Sequence, residues 1–178
     1  ADLGPAAYGL KARVGLLRDT GASISPFNAW VTRQGLDTLP LRIERHNSNA
    51  VQVVEFLRNH PKVSKVNFAG AADSPYRAVK EKLGLEYTGS VFTFELDAPG
   101  DDRENAWRFI DALQLHSNLA NVGDVRSLVV HPASTTHSQS DEAGLARAQV
   151  TQKTIRLSVG IEAVTDIIAD LERALDAV

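Results

Sequence analysis

The chain has 178 residues, of which 43% are hydrophobic, so it suits one folded domain, or a small domain with part of another, and is not mainly disordered. Its 19 basic and 22 acidic side chains give a net charge of −3, without the basic surface that nucleic-acid binding requires. Its lack of cysteine excludes disulfides and thiolate sites, and no apolar run is long enough for a membrane span, so we expect a cytoplasmic protein without nucleic-acid or membrane partners.

Residues 1–60 are predicted to be helical. A first apolar stripe has the spacing of a helix surface: Leu10, Val14 and Leu17. Ser25-Pro26 is a helix-start signal, because serine caps free N–H groups and proline is tolerated at the first helical position. A longer helix is predicted from about Leu41 to Asn59, and Pro61 ends it.

From residue 63 onward, strands and helices alternate. The four predicted strands are Val63–Phe68, Ser90–Leu96, Arg126–His131 and Thr154–Gly160. The three predicted helices are Ser74–Leu83, Asp101–Leu115 and Ala163–Ala177. The polar stretch Pro132–Gln152 is predicted to be an exposed connection. This order predicts an α+β domain over residues 61–178, preceded by a helical segment over 1–60.

Several familiar site patterns are absent from the sequence. It has no glycine-rich phosphate loop and no nucleophile elbow, and its five histidines lack the spacing of a zinc site, so no metal is expected. A triad could be drawn from Ser134, His137 and Asp141, but residue types alone do not support it. Glu44-Arg45-His46 is predicted to be a solvated helix face.

Arg156 is the arginine that stands apart, because it lies inside a predicted strand. If that strand alternates, Ile155, Leu157 and Val159 point to one side, while Arg156 and Ser158 point to the other. A guanidinium in a strand is costly unless an anion meets it, and its fork matches a carboxylate. An internal Arg–Glu pair, or an edge strand that faces water, would account for the same pattern, and the residues alone leave both open.

Several motifs, in order along almost the whole chain, resemble one enzyme family. They are Gly21–Ala29, Gln34–Leu39, Arg42–His46, Pro61–Val63, Asn121–Asp124, Ser127–His137 and Ile155–Glu162. Together they resemble the Cys/Met-metabolism family of pyridoxal-phosphate enzymes, and within it the O-acetylhomoserine sulfhydrylase branch. The Asn121-Val122-Gly123-Asp124 segment is similar to that branch, whereas cystathionine-forming and cystathionine-cleaving relatives usually carry Gly-Gly-x-Glu-Ser.

The resemblance implies that this chain is the C-terminal part of a longer polypeptide. The absence of methionine, even at position 1, agrees with that expectation. The resemblance further implies a fold-type-I architecture, with a small, mostly antiparallel sheet of about four strands and helices on one face. The segment over 1–60 would then end the large cofactor domain. The family attaches its cofactor to a lysine in a Ser-x-Thr-Lys segment, and no lysine here follows a threonine. We therefore expect no catalytic residue in this chain, and no pyridoxal phosphate bound by it alone.

The resemblance also implies roles for individual residues. Arg156 would bind the α-carboxylate of an amino-acid substrate, and Ser127 would approach the same carboxylate. Arg18 and Asp19 would contribute to a neighbouring subunit's pocket, although a helix-terminal charge pair explains them equally well. The full-length enzyme would make homocysteine from O-acetylhomoserine and sulfide, with release of acetate, as a homotetramer. The alternatives are a cystathionine γ-synthase or γ-lyase type of enzyme, or a non-catalytic module that binds amino acids or assembles subunits.

Overall fold

A computed structural model of the chain describes residues 4–178. Its helices are α1 Ala7–Ala12, α2 Arg18–Thr20, α3 Pro26–Asp37, α4 Leu39–Arg58, α5 Arg77–Lys82, α6 Asp102–Ala112, α7 Glu142–Arg147 and α8 Val164–Asp176. Its strands are β1 Val63–Asn67, β2 Val91–Leu96, β3 Ser117–Asn118, β4 Leu128–Val130 and β5 Thr154–Ser158. Short 3₁₀ segments are Gly4–Ala6 and Pro132–Ser134, and a π-helical turn, Arg13–Leu17, joins α1 to α2.

The chain forms two compact units, which divide between Pro40 and Leu41. In the first unit, α3 begins as the sequence predicts, because the Ser25 side chain accepts a hydrogen bond from the Asn28 amide at 3.2 Å. No residue described in this unit is buried. Its large apolar side chains, among them Phe27 and Trp30, are exposed. The predicted division at residue 60 stays a prediction.

The second unit, Leu41–Val178, is built on a five-stranded sheet with the order β1-β2-β5-β4-β3. Three neighbouring pairs are antiparallel, and β3 pairs with β4 in parallel. The prediction of a mostly antiparallel sheet is confirmed. The strand count is one higher than predicted, because β3 has only two residues and is too short to leave a sequence pattern.

One face of the sheet carries the hydrophobic core. Phe92, Phe94 and Leu96 of β2 alternate with less buried residues, and the antiparallel register sets them beside Ile155 and Leu157 of β5. The helices α4, α6 and α8 bury their apolar stripes in the same cluster. The predicted layer of helices on one face is therefore present.

The lengths of several elements differ from the predictions. Helix α5 is shorter than the predicted 74–83 segment, and α7 forms inside the predicted polar connection 132–152. A local cap accounts for α7, because the Asp141 carboxylate accepts from the Gly144 amide at 2.7 Å. In the described part of the chain, no helix is long and apolar enough to cross a membrane.

A buried aspartate fastens α8 to the chain that follows α6. Asp170 is 3% exposed and accepts hydrogen bonds from the backbone amides of Gln114, Leu115 and His116, from His116 Nδ1 and from Arg173. Burial alone would raise the pKa of Asp170, but the His116 hydrogen bond and the amides hold it well below its ordinary value. The carboxylate thus satisfies three amides that would otherwise lack partners.

Candidate functional site

Arg156 is the third residue of β5, the central strand of the sheet. It pairs with Thr93 of β2 and Val130 of β4, and it is half-buried on the face opposite the core. The central position rules out an edge strand. Among residues 4–178 its guanidinium has no carboxylate partner, which also rules out the internal Arg–Glu pair.

The surroundings of Arg156 include a buried polar group without a hydrogen-bond partner. Ser158, two residues further along β5, lies on the same face. It is 2% exposed, and its Oγ has no hydrogen-bond partner in the described structure. A buried hydroxyl without a partner is uncommon in proteins and costs free energy. Within one strand, this face therefore presents a guanidinium without a carboxylate partner and a hydroxyl without a hydrogen-bond partner.

The loop before β4 contacts Arg156 through a backbone carbonyl. Arg156 Nη2 donates to the carbonyl of Asn121 at 3.2 Å. The Asn121 side chain accepts from the Val122 amide and donates to Asp124, while Gly123 takes the left-handed conformation that the turn requires. The Arg126 amide and then the Asn121 amide lower the pKa of Asp124. The Asn-Val-Gly-Asp motif thus folds a turn against Arg156, a contact that the sequence did not indicate.

Ser127 is buried immediately before β4, and all its donor groups are engaged. Its amide donates to Glu162 Oε1 at 2.7 Å, and its Oγ donates to Glu162 Oε2 at 3.0 Å. The same Oγ accepts from the Gly160 amide at 2.9 Å. The two residues predicted to bind substrate therefore lie on β5 and directly before its neighbour β4, but in different states. Arg156 has no carboxylate partner, whereas Ser127 is held by Glu162.

Glycine at position 160 is required by close packing. A Cβ atom there would stand 2.5 Å from the Val125 carbonyl oxygen and 2.6 Å from the Arg126 carbonyl carbon. Real Cβ atoms do not approach backbone atoms so closely. Gly160 therefore lets the end of β5 lie directly against the start of β4.

Two buried polar side chains of α4 hold the segment that follows β5. His46 Nδ1 donates to the Val159 carbonyl at 2.7 Å, and Asn49 Nδ2 donates to the carbonyls of Gly160 and Glu162. The prediction that residues 44–46 form a solvated face is wrong for His46, which is 1% exposed. The missed signal was its spacing, because His46 precedes Ala50 and Val53 by four and seven residues on the buried stripe of α4.

Arg18 and Asp19 lie in the first unit. Arg18 Nε donates to Asp19 Oδ1 at 3.1 Å, and both side chains are mostly exposed. An adjacent exposed pair of this kind contributes little to stability. The predicted role of these residues in a neighbouring subunit's pocket stays a prediction.

The lysines do not form a site for a covalently bound aldehyde cofactor. Lys62 Nζ donates to the Leu175 carbonyl at 2.9 Å, and Lys153 Nζ lies 3.7 Å from carboxylate oxygens of Asp97 and Asp102. None of the six lysines is buried. The described residues therefore do not fit the attachment of such a group.

His131 and Ser134 are partners of each other. His131 Nδ1 accepts from Ser134 Oγ at 2.8 Å and its Nε2 donates to the Gln152 carbonyl, while burial lowers the pKa of His131. Ser134 thus pairs with His131 and not with His137, so the triad drawn from the sequence does not form. Residues 4–178 also contain no group of three or more side chains that could hold a metal ion.

Comparison with known proteins gives a consistent result. The sequence model of the Cys/Met metabolism PLP-dependent enzyme family matches residues 6–176. The O-acetyl-L-homoserine sulfhydrylase of Corynebacterium glutamicum is 71% identical over all 178 residues. A crystal structure of a putative O-acetylhomoserine (thiol)-lyase from Campylobacter jejuni, which contains a pyridoxyl-lysine, superposes on 98% of the chain with a TM-score of 0.87 and 42% identity.

The same fold occurs in relatives with another activity. The cystathionine γ-lyase of Lactobacillus plantarum, crystallised with L-serine, matches 96% of the chain with a TM-score of 0.84 and 32% identity. The chain spans 40% of the length of the Corynebacterium relative and 40% of the Campylobacter chain. It therefore corresponds to less than half of each of these enzymes.

Proposed function

The chain belongs to the Cys/Met metabolism PLP-dependent enzyme family, and we propose that it supplies the substrate-carboxylate site of an O-acetylhomoserine sulfhydrylase. In the proposed reaction, sulfide replaces acetate at the γ-carbon of O-acetylhomoserine and homocysteine is formed. The activity is proposed for a polypeptide that joins this chain to the part of the relatives it does not cover. The 71% identity to the Corynebacterium glutamicum enzyme supports this branch over the others.

The observation that carries the proposal is the state of Arg156. A half-buried guanidinium on the central strand has no carboxylate from residues 4–178, and it has one hydrogen bond, to the Asn121 carbonyl. The planar fork of arginine can donate two parallel hydrogen bonds to a carboxylate. We infer that Arg156 binds the α-carboxylate of the amino-acid substrate and orients it for reaction.

Ser127 enters the proposal with a condition. A direct contact of its amide or hydroxyl with the substrate carboxylate requires Glu162 to leave, because Glu162 accepts both hydrogen bonds. While Glu162 stays in place, Ser127 does not contact the substrate, and it affects binding only because it helps to fix the start of β4. Arg156 is therefore the primary carboxylate ligand of the proposed site.

The cofactor chemistry is assigned to the part of the enzyme outside this chain. Pyridoxal phosphate is the cofactor that gives the family its description, but the described lysines do not fit its attachment. The proposed contribution of residues 41–178 is to bind and orient the substrate. We further propose a cytoplasmic homotetramer, in which Arg18 and Asp19 reach a neighbouring subunit's pocket.

Activity of the joined polypeptide tests the proposal directly. Loaded with pyridoxal phosphate and supplied with O-acetylhomoserine and sulfide, it should release homocysteine and acetate in equal amounts. Parallel assays with cysteine as the nucleophile, and with cystathionine as the substrate, test the two alternative family activities. Turnover only in those parallel assays would replace the sulfhydrylase proposal, and inactivity in all three would favour a non-catalytic module.

Substitution of Arg156 tests the carboxylate site. Arg156→Lys keeps the charge but loses the paired donors, so we expect amino-acid binding to weaken about 10- to 100-fold, because charge-assisted hydrogen bonds contribute about 1.5–3 kcal/mol. Arg108→Lys is the matched control, since Arg108 is an exposed arginine on α6. Calorimetric titration with L-norleucine gives both affinities, and equal affinities for the two variants would contradict the role of Arg156.

A further inference from the structure

We propose that Glu162 is a positioning residue, which anchors the loop that holds Arg156 in its binding orientation. The inference rests on the proposed function, because it concerns the same carboxylate site. It assigns Glu162 no contact with the substrate. Its evidence is a path from Glu162 to the Arg156 guanidinium, made of hydrogen bonds at both ends and of the short loop 121–126 between them.

The first step is the contact of Glu162 with β4. Its two carboxylate oxygens accept from the amide and the hydroxyl of one residue, Ser127, at 2.7 and 3.0 Å. Ser127 is 0% exposed, so water cannot replace either bond. Loss of the carboxylate would leave a buried amide and a buried hydroxyl without acceptors, an unfavourable state that the chain relieves by moving.

The second step is the rigidity of Glu162 itself. Asn49 of α4 donates to the Glu162 carbonyl at 2.9 Å and to the Gly160 carbonyl at 3.0 Å, and His46 binds the Val159 carbonyl. The backbone that carries the carboxylate is therefore fixed to a helix of the core. A carboxylate fixed in this way can hold a neighbouring segment in one position.

The third step leads from Ser127 to Arg156 through residues 121–126. One end of this loop is held at Ser127 by Glu162 and at Val125, whose carbonyl accepts from the Ile161 amide at 3.0 Å. The other end presents the Asn121 carbonyl to Arg156. Between them the Asn121–Asp124 turn keeps the loop short and internally bonded. A shift at Ser127 therefore moves the carbonyl that orients Arg156.

The test measures binding that depends on a carboxylate. The pyridoxal-phosphate-loaded joined polypeptide is titrated with L-norleucine and with L-norleucinamide, which lacks the carboxylate. Glu162→Gln should weaken L-norleucine binding about 3- to 10-fold, the effect of one hydrogen bond, and leave L-norleucinamide binding unchanged. Glu172→Gln is the control, because Glu172 is an exposed glutamate on α8.

A second variant distinguishes a positioning effect of Glu162 from an effect of its negative charge. Glu162→Asp keeps the negative charge but is one methylene too short to reach both groups of Ser127, so it should weaken L-norleucine binding as well. If Glu162 acted only through repulsion of the substrate, Glu162→Gln would strengthen L-norleucine binding and Glu162→Asp would leave it unchanged. That pair of results would overturn the inference.

Two further measurements keep the outcomes distinct. Hydrogen exchange of the Ser127 amide, measured in the chain itself, should be faster in both Glu162 variants, and an unchanged rate would contradict the anchor.

Arg156→Lys serves as the reference for the proposed function. If Arg156→Lys loses the preference for L-norleucine over L-norleucinamide and both Glu162 variants keep it, the positioning role of Glu162 is contradicted while the proposed carboxylate site stands. If Arg156→Lys also keeps it, the proposed carboxylate site fails, and the inference fails with it.

Discussion

The two faces of the sheet in residues 41–178 have opposite chemistry within the same strands. Towards the helices, Ile155 and Leu157 are fully buried among apolar side chains. On the other face, Arg156 and Ser158 carry polar groups that the described chain leaves without an anion or a hydrogen-bond partner. The helix-side face stabilises the domain through apolar packing, whereas the other face presents a guanidinium and a hydroxyl to which a substrate could bind. A buried polar group without a partner costs free energy, and a bound ligand is one way in which such a group can be satisfied.

The largest expected effect comes from the helix-side face. Leu157→Ala should lower the free energy of unfolding by about 2–5 kcal/mol, because it removes buried methyl groups and leaves a cavity in a close-packed core. Urea unfolding followed by circular dichroism measures the change. A loss below about 1 kcal/mol would mean that this face is not the main stabilising layer.

A polar contact on the helix side should have the next largest effect. Asp170→Asn should cost about 2–4 kcal/mol, because an amide cannot accept from three backbone amides and His116 as a carboxylate does. Asp166→Asn on the exposed side of α8 is the control. The same unfolding experiment compares both variants, and equal stabilities would contradict the fastening role of Asp170.

As the pH falls, the free energy of unfolding should decrease in two steps, the first caused by His131 and the second by Asp170. Burial lowers the pKa of His131 below 6.5, so its contribution is complete above pH 6.5 and is lost as the pH falls through its folded value. The lowered pKa of Asp170 gives a contribution that is present above about pH 3.8 and is lost in stronger acid. Unfolding free energies measured from pH 8 down to about pH 2 should fall in this order, and His131→Gln should remove the first step.

The smallest effect on stability is expected on the opposite face. Arg156→Leu should change the unfolding free energy by no more than about 0.5–1 kcal/mol, because the half-buried guanidinium has no ion pair to lose. Amino-acid binding should nevertheless be lost in the same variant. A destabilisation as large as that of Leu157→Ala would show that Arg156 is a structural residue and would remove the contrast between the faces.

Much of the fold could be predicted from local sequence patterns. The amphipathic spacing of Ile167, Leu171 and Leu175 indicates α8, and alternation in residues 154–160 indicates β5 with Arg156 turned away from the core. The two-residue β3 and the six-residue α7 were not predicted, because elements of this length form through one neighbour or one cap and leave no periodicity.

The predictable part of the site was Arg156 itself, from its residue type and its place in a strand. Its contacts could not be predicted. Asn121 lies 35 residues away from Arg156, and Ser127 lies 35 residues away from Glu162. Hydrogen bonds over such separations depend on how strands pair, which residue types alone do not specify.

The sequence by itself determined the order of the longer elements, the apolar faces of the amphipathic ones and the family to which the chain belongs, because periodicity and motifs are local properties. The tertiary structure decided which polar groups are satisfied. It placed β5 at the centre of the sheet, engaged Ser127 with Glu162, buried His46 against Val159 and left Arg156 without a carboxylate. Satisfaction of a polar group depends on partners brought together by folding, and for that reason only the folded chain identifies a guanidinium without a carboxylate partner.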